Sequence, residues 1–258
     1  MANSIEGLTG WRHLELNQVG STNVVALEQA LLGDAGRLWI TATEQTAGKG
    51  RRGRTWDSLE GNLFASLLLI DPSPSAALAT LPLVASLALY KGLVTARPKL
   101  SEQLKIKWPN DLLLGGNKIS GILLEASRTT QGRLSVVIGL GVNCSYSPES
   151  PLYPATSLKE FGCPITGEEL FPHVARAMAD ELRVWASGSG FAIIRKEWLE
   201  RAMGIGTQIT ARFSDHEMVG KFIDINADGL LLLEDENNIQ HKISAADIFF
   251  GNSNSIGA

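Results

Sequence analysis

The sequence predicts an α+β protein: a mixed β-sheet with helices packed on it, followed by a small β-barrel. Three observations carry this. Period-two apolar runs alternate with helical stretches through most of the chain. Beyond Gly204-Ile205-Gly206, five short β-rich runs follow one another with turns between them, as in small barrels. Finally, 44% of the 258 residues are apolar, enough for a core in one large domain plus a small one. The expected division is 1–203 and 204–258.

Composition narrows the function classes. A formal charge of −4 argues against wholesale nucleic-acid or membrane binding, which calls for a broad basic face. Cys144 and Cys163 are far apart and lack metal-ligand spacing, so they read as reduced thiols. No targeting segment is legible in MANSIEGLTG, and no run approaches the ~18 apolar residues of a membrane span. The cytoplasm is the expected compartment.

Taken in order, Trp11 to Leu16 reads as a strand ending at Val19-Gly20. Ser21, Thr22 and Asn23 then supply cap-type residues, and a helix N-terminus also offers free N–H groups to a ligand. Val24, Val25, Leu27, Leu31 and Leu32 form the expected apolar stripe of that helix, which Gly33 ends. Leu38 to Thr43 is a strand, as is Gly61 to Ile70, and Ser75 to Ala96 reads as one long helix. Leu104, Ile106 and Trp108 alternate with Lys105 and Lys107 until Pro109 stops the strand. Leu112 to Leu114 and Lys118 to Ala126 form a hairpin across Gly115-Gly116. From Arg133 to Asn143 one face carries Val136, Ile138, Leu140 and Val142; the other carries Gly139, Gly141 and Asn143. A glycine-lined strand face is either close packing or the floor for a flat ring. Ser145 to Pro164 reads as loop, Leu170 to Trp185 and Phe191 to Met203 as helices.

Between the second and third of these strands lies QTAGKGRRGRTW, Gln45 to Trp56. Lys49, Arg51, Arg52 and Arg54 alternate there with Gly50 and Gly53. Glycine lets backbone approach a ligand closely, and Arg offers a fork of donors suited to carboxylate and phosphate. The segment therefore reads as a ligand-ordered lid over a small anion. A solvated surface turn and a short nucleic-acid patch are rival readings. The match to GxGxxG is formal, because a strand follows it and not a helix, and no Lys-Ser or Lys-Thr makes it a P-loop.

EQTAGKGRRGRTW, KWPND at Lys107 to Asp111, KISGILLE at Lys118 to Glu125, GLGVN at Gly139 to Asn143, and Ser21-Thr22-Asn23 together resemble the successive motifs of biotin protein ligases. The resemblance runs in order over nearly the whole chain. It implies a class II synthetase-like catalytic domain and an SH3-like C-terminal barrel. It also implies an activity: biotin and ATP form biotinyl-5′-AMP and pyrophosphate, with Mg²⁺, and biotin then passes to one lysine of a biotin carboxyl carrier protein domain.

By the same resemblance Ser21, Thr22, Asn23 and Gln45 hold biotin's ureido ring and neighbouring groups. Gly48, Lys49, Gly50, Arg51, Lys118 and Gly121 complete the biotin site, the cations meeting its carboxylate and the α-phosphate. Arg52, Arg54, Trp56, Asn110, Asp111 and Asn143 belong to the ATP site, with Mg²⁺ near Asn110 and Asp111 and adenine near Asn143. Arg51 and Lys118 are the expected catalytic residues. Lys49 stands where many members carry Arg, which turns a bidentate contact into a point charge. Bifunctional members carry an N-terminal DNA-binding domain; few residues precede Ser21 here, so no nucleic-acid partner is expected. A homodimer through sheet edges is compatible with the family. A lipoyl or octanoyl ligase and a non-catalytic biotin or nucleotide binder are the alternatives.

Overall fold

The structure is a computed structural model that describes residues 2–148 and 153–250. Residues 149–152 of the expected Pro- and Ser-rich loop and 251–258 of the expected terminal module lie outside the described residues.

Eight strands form the main sheet: β1 (Asn3–Ser4), β2 (Arg12–Val19), β3 (Leu38–Gln45), β4 (Leu63–Ile70), β5 (Leu104–Lys107), β6 (Asp111–Leu114), β7 (Asn117–Arg128) and β8 (Leu134–Val142). Their order is β1-β2-β3-β4-β8-β7-β6-β5. Only β2 and β3 pair in parallel, joined through helix α1 (Thr22–Leu31), so the sheet is mixed as expected. The β6–β7 turn is Gly115-Gly116, both at positive φ (57° and 84°), a conformation that glycine takes without steric cost.

Period-two alternation gives the sheet two different faces. Trp39, Leu67 and Ile138 point one way into the large core, covered by α2 (Leu81–Ala96) and α3 (Gly167–Trp185), with α4 (Phe191–Arg201) packed beside them. Ile40, Leu68 and Val137 point the other way, where among the described residues α1 is the helix that packs on them. That second face is half covered, and the uncovered half becomes the cleft.

Two elements depart from expectation. The α1 stripe is partly rotated: Val25 and Leu27 pack against the sheet as expected, but Val24, Leu31 and Leu32 are exposed at 40%, 49% and 80%, while Thr22, Asn23, Ala26 and Ala30 are buried. The small alanines at i and i+4 let the helix sit close to the sheet, and the same face brings Thr22 and Asn23 over the cleft. The long helix also starts later. Ser75–Thr80 is a 3₁₀ segment, and α2 begins at Leu81 with Pro82 in its first turn, where the missing N–H costs nothing. Taken together, Ala76–Ala96 is 21 residues, long and apolar enough to cross a membrane, contrary to the expectation above; two thirds of its apolar window is buried inside the protein.

The C-terminal strands are β9 (Gln208–Arg212), β10 (Glu217–Ile225), β11 (Leu231–Glu234), β12 (Gln240–Ile243) and β13 (Asp247–Phe250), all antiparallel, in the order β12-β11-β10-β9-β13. Among the described residues β12 pairs only with β11 and β13 only with β9, so the sheet stays open where a barrel would close.

Candidate active site

The floor of the cleft is one row of the main sheet. Register pairs Lys107 with Asp111, Asp111 with Gly121, and Gly121 with Gly141, so the row runs from edge strand β5 to the sheet centre. The bare glycines have a specific reason. The indole of Trp56 lies on them: a Cβ at Gly141 would stand 2.5 Å from its Nε1, and one at Gly121 3.0 Å from its Cζ3. One row further on, the side chain of Asn23 occupies the space a Cβ on Gly139 would need. The cleft above this floor has a volume of about 290 Å³.

One wall is polar and built from the start of α1. Ser21 is the N-cap by position, but its side chain makes no capping bond. Gln45, at the end of β3, accepts from both the N–H (2.8 Å) and the hydroxyl (3.0 Å) of Thr22, and donates to Ser58 Oγ. Ser66, fully buried in β4, has Thr22 Oγ1 at 2.7 Å and Asn23 Oδ1 at 2.6 Å. Asn23 Nδ2 donates to Glu125 Oε2 at 2.7 Å. Every member of this network is held by another, so the wall is rigid.

The opposite side is cationic. Lys49 and Thr55 form a bridge, and the tip between them is a 3₁₀ turn, Arg51–Gly53, with Arg52 and Gly53 at φ 57° and 72°. Arg51 donates to Asn110 Oδ1 (2.9 Å) and to the Ala246 carbonyl (3.3 Å). Arg52 and Arg54 both pair with Asp247, at 3.1 and 2.5 Å. Burial pushes the Asp247 carboxyl up, but the bond from Arg54 and the charges of Arg54, Arg52 and Arg51 outweigh it and hold the group below the usual carboxylate range. Lys118 Nζ sits 2.9 Å from Asp111 Oδ1 and 5.7 Å from the Trp56 ring centroid. Asn110 is pinned by its own donation to the Ile122 carbonyl. Burial lowers the Lys107 ammonium below its ordinary value; Asp111 pulls it back up, and Lys118 adds to the lowering.

Asn143 donates to the Thr156 carbonyl (3.1 Å) and leaves Oδ1 buried without a partner among the described residues. Cys144, beside it, is buried with its thiol pushed up to about 12, which makes it inert.

Most of the expected site residues therefore meet in one cleft. Ser21, Thr22, Asn23, Gln45, Lys49, Gly50, Arg51, Arg54, Trp56, Asn110, Asp111, Lys118, Gly121 and Asn143 all line it. Gly48 and Arg52 do not. Gly48 packs behind the loop, where a Cβ would meet Ser58 Oγ and the Trp56 carbonyl at 2.6 Å, and Arg52 is turned toward Asp247. Sequence reasoning missed Ser66, Glu125, Lys107, Tyr153 and Asp247. A lone hydroxyl inside LFASLLLI was a visible signal for Ser66; nothing local signals Asp247.

A model of the Biotin/lipoate A/B protein ligase family matches residues 17–143, and one of the Biotin protein ligase C terminal domain matches 204–251. The biotin--[acetyl-CoA-carboxylase] ligase of Paracoccus denitrificans is 39% identical over 242 residues, 92% of this chain and 99% of that protein. This chain belongs to the biotin protein ligase family. The bifunctional ligase/repressor BirA of Bacillus subtilis is 36% identical over 220 residues; the match takes in 82% of the ligase described here and 66% of BirA. Among solved structures, the biotin protein ligase from Aquifex aeolicus in complex with biotin and ATP superposes with a TM-score of 0.77 at 26% identity, covering 93% and 99% of the two chains. The chain is an enzyme, a biotin–protein ligase.

Proposed function

We propose that this cleft performs both half-reactions of the ligase, with its polar wall holding biotin and its cationic side holding ATP. In the first, a biotin carboxylate oxygen bonds to the α-phosphorus, the bond from that phosphorus to the β-phosphate's bridging oxygen breaks, and pyrophosphate leaves with the electron pair. In the second, the neutral amine of an acceptor lysine attacks the acyl carbon. A C–N bond forms, AMP leaves, and the amine releases one proton. The acceptor is a biotin carboxyl carrier domain.

The observation that carries this reading is the convergence of Arg51, Lys118 and Lys49 opposite the network of Thr22, Asn23 and Gln45. Two anions must meet for adenylation, so catalysis lies in positioning and in cations aimed at developing charge. Thr22, Asn23, Ser21 and Gln45 offer the donors and acceptors a cyclic urea needs. Arg51 and Lys118 face the carboxylate and α-phosphate, with Lys49 and Gly50 beside them and Gly48 supporting the loop from behind. Gly121 and Gly141 let the Trp56 indole lie flat on the floor, so that its outer face is a platform for adenine, and the orphaned Oδ1 of Asn143 suits the amino group of that ring. Arg54 takes part in ATP binding, and Arg52 supports the loop from outside.

Mg²⁺ fits the donor set as a companion of ATP. Among the described residues no cluster of three His, Cys, Asp or Glu side chains exists, and Mg²⁺ bound chiefly by phosphates and water needs only one or two carboxylates. Asp111 would hold it, with Asn110 adjacent; the ion supplies charge neutralisation at the phosphates.

The same reading takes 1–203 as the catalytic domain and 204–258 as a partly open SH3-like module, in line with the C-terminal family match at 204–251. It also takes the protein to act in the cytoplasm and without a nucleic-acid partner, the second in line with a net charge of −4. The test is biotin-dependent exchange of labelled pyrophosphate into ATP. Exchange that needs biotin supports the reading; exchange with lipoate or octanoate in its place, or none with the folded protein, overturns it.

A further inference from the structure

We propose that Lys107 binds the outer two phosphates of ATP and the pyrophosphate they become, a role beyond the assignments above that rests on the adenylation reading. Geometry comes first. Lys107 ends the floor row at the sheet edge, one strand beyond the Asp111–Lys118 pair. Neighbouring strands lie about 4.8 Å apart, so the row from Gly141 to Lys107 spans about 14 Å. With adenine stacked on the outer face of Trp56, above Gly121 and Gly141, and the α-phosphate at Lys118, a phosphate chain leading away along this row arrives at Lys107.

Charge supply is the second argument. The other cations of the cleft are engaged: Lys118 by Asp111, Arg51 by Asn110 and the Ala246 carbonyl, and Arg54 by Asp247; Lys49 is solvent-exposed. Lys107 is half-buried and has no ion pair or hydrogen bond among the described residues. Its Nζ lies instead among aromatic faces, 5.0 Å from the Tyr153 centroid and 5.8 Å from those of Phe249 and Phe250. Rings hold an ammonium in place without neutralising it. A partly desolvated, positioned and unpaired cation is costly to keep unless an anion completes it. When the α-phosphorus bond to the bridging oxygen breaks, charge grows on pyrophosphate, and this ammonium receives it without any proton transfer.

The assignment also gives the C-terminal module a part in catalysis, because Phe249 and Phe250 of β13 form two walls of the lysine's cage.

The experiment uses the full chain with Lys107→Met, which keeps an unbranched stem in the cage, and Lys107→Arg, which keeps the charge. Three quantities are measured: single-turnover biotinyl-5′-AMP formation against ATP concentration, the reverse reaction against pyrophosphate concentration, and transfer from preformed biotinyl-5′-AMP to a carrier domain without ATP. Lys107→Met should raise the half-saturating ATP and pyrophosphate concentrations about tenfold or more, lower transfer by less than about twofold, and be largely rescued in Lys107→Arg. Unchanged half-saturation in a folded Lys107→Met, a loss confined to transfer, or equal losses in both steps would overturn it. Lys107→Gln carries the same expectation should Met unsettle the cage. A wild-type chain without biotin-dependent pyrophosphate exchange would instead overturn the adenylation reading itself.

Discussion

Ser66 is a single hydroxyl in an otherwise apolar strand, yet it contacts both Thr22 and Asn23 from beneath the cleft. Replacing it leaves buried polar atoms without a partner, a loss of roughly 1–3 kcal/mol in such cases. Ser66→Ala should therefore weaken biotin binding about tenfold, read by calorimetry, while adenylation at saturating biotin changes little; unchanged affinity would remove Ser66 from the site. Lys118 makes the opposite demand. If it balances charge on the α-phosphate, its loss harms the transition state more than the bound substrate. Loss of one preorganised donor costs roughly 2.7–4 kcal/mol, so Lys118→Ala should slow adenylate formation about a hundredfold or more and spare biotin affinity. At this scale the sequence was most informative where chemistry is local. The glycines of GLGVN pointed to a ring floor, and the ring that lies there is Trp56 of the chain itself. Asp247 was invisible, because it reaches Arg54 across 193 positions.

The basic loop is held as an element by what it touches. Two of its arginines share Asp247, and a third reaches Ala246, so the start of strand β13 and the residue before it clasp the loop tip. Asp247→Asn should accelerate trypsin cleavage after Arg52 and Arg54, and biotin with ATP should restore protection; cleavage equal to wild type would mean that the clasp does not order the loop. Strand β2 carries a pH-dependent contact. His13 packs on Phe171 of α3, with ring centroids 4.3 Å apart and the planes tilted by 32°, and shares a hydrogen bond with Thr41 Oγ1. Burial lowers its folded-state value below the ordinary 6.5, against the opposing pull of Glu15. The unfolded chain then binds the proton more readily, so the stability from neutral His13 is present above 6.5 and is lost as pH falls from there through the lower folded value. His13→Asn should flatten the fall in Tm over that window; an unaltered slope would place the titration elsewhere. Elements were legible where alternation was strong, as in β5 and β8, or where turn residues bounded β-rich runs, as in the β6–β7 hairpin and the five C-terminal strands. Helix α1 was misjudged at its face because branched residues stand exposed while Ala26 and Ala30 pack, and apolar size alone does not say which side of a helix is allowed close to a sheet.

The whole molecule places the candidate cleft between two sequence-distant parts. Trp108 Nε1 donates to the Gly229 carbonyl at 3.3 Å, and Ala246, Asp247 and Ile248 line the same cleft as the glycine floor. A chain truncated after Met203 keeps the Thr22, Asn23, Gln45 and Ser66 network but loses the loop's clasp and two aromatic walls of Lys107. Biotin binding should survive and ATP handling should fail, read as separate affinities on the folded fragment; lost biotin binding would mean that the module supports that pocket as well. This dependence was not readable from the motifs, all of which precede residue 145. The most direct measurement of the central claim is the intact mass of a carrier domain after incubation with this chain, biotin and MgATP. The expected result is one biotinoyl group on one lysine, dependent on both substrates and abolished when that lysine is replaced by arginine. No addition, or addition of a lipoyl or octanoyl group in preference to biotin, would contradict the account.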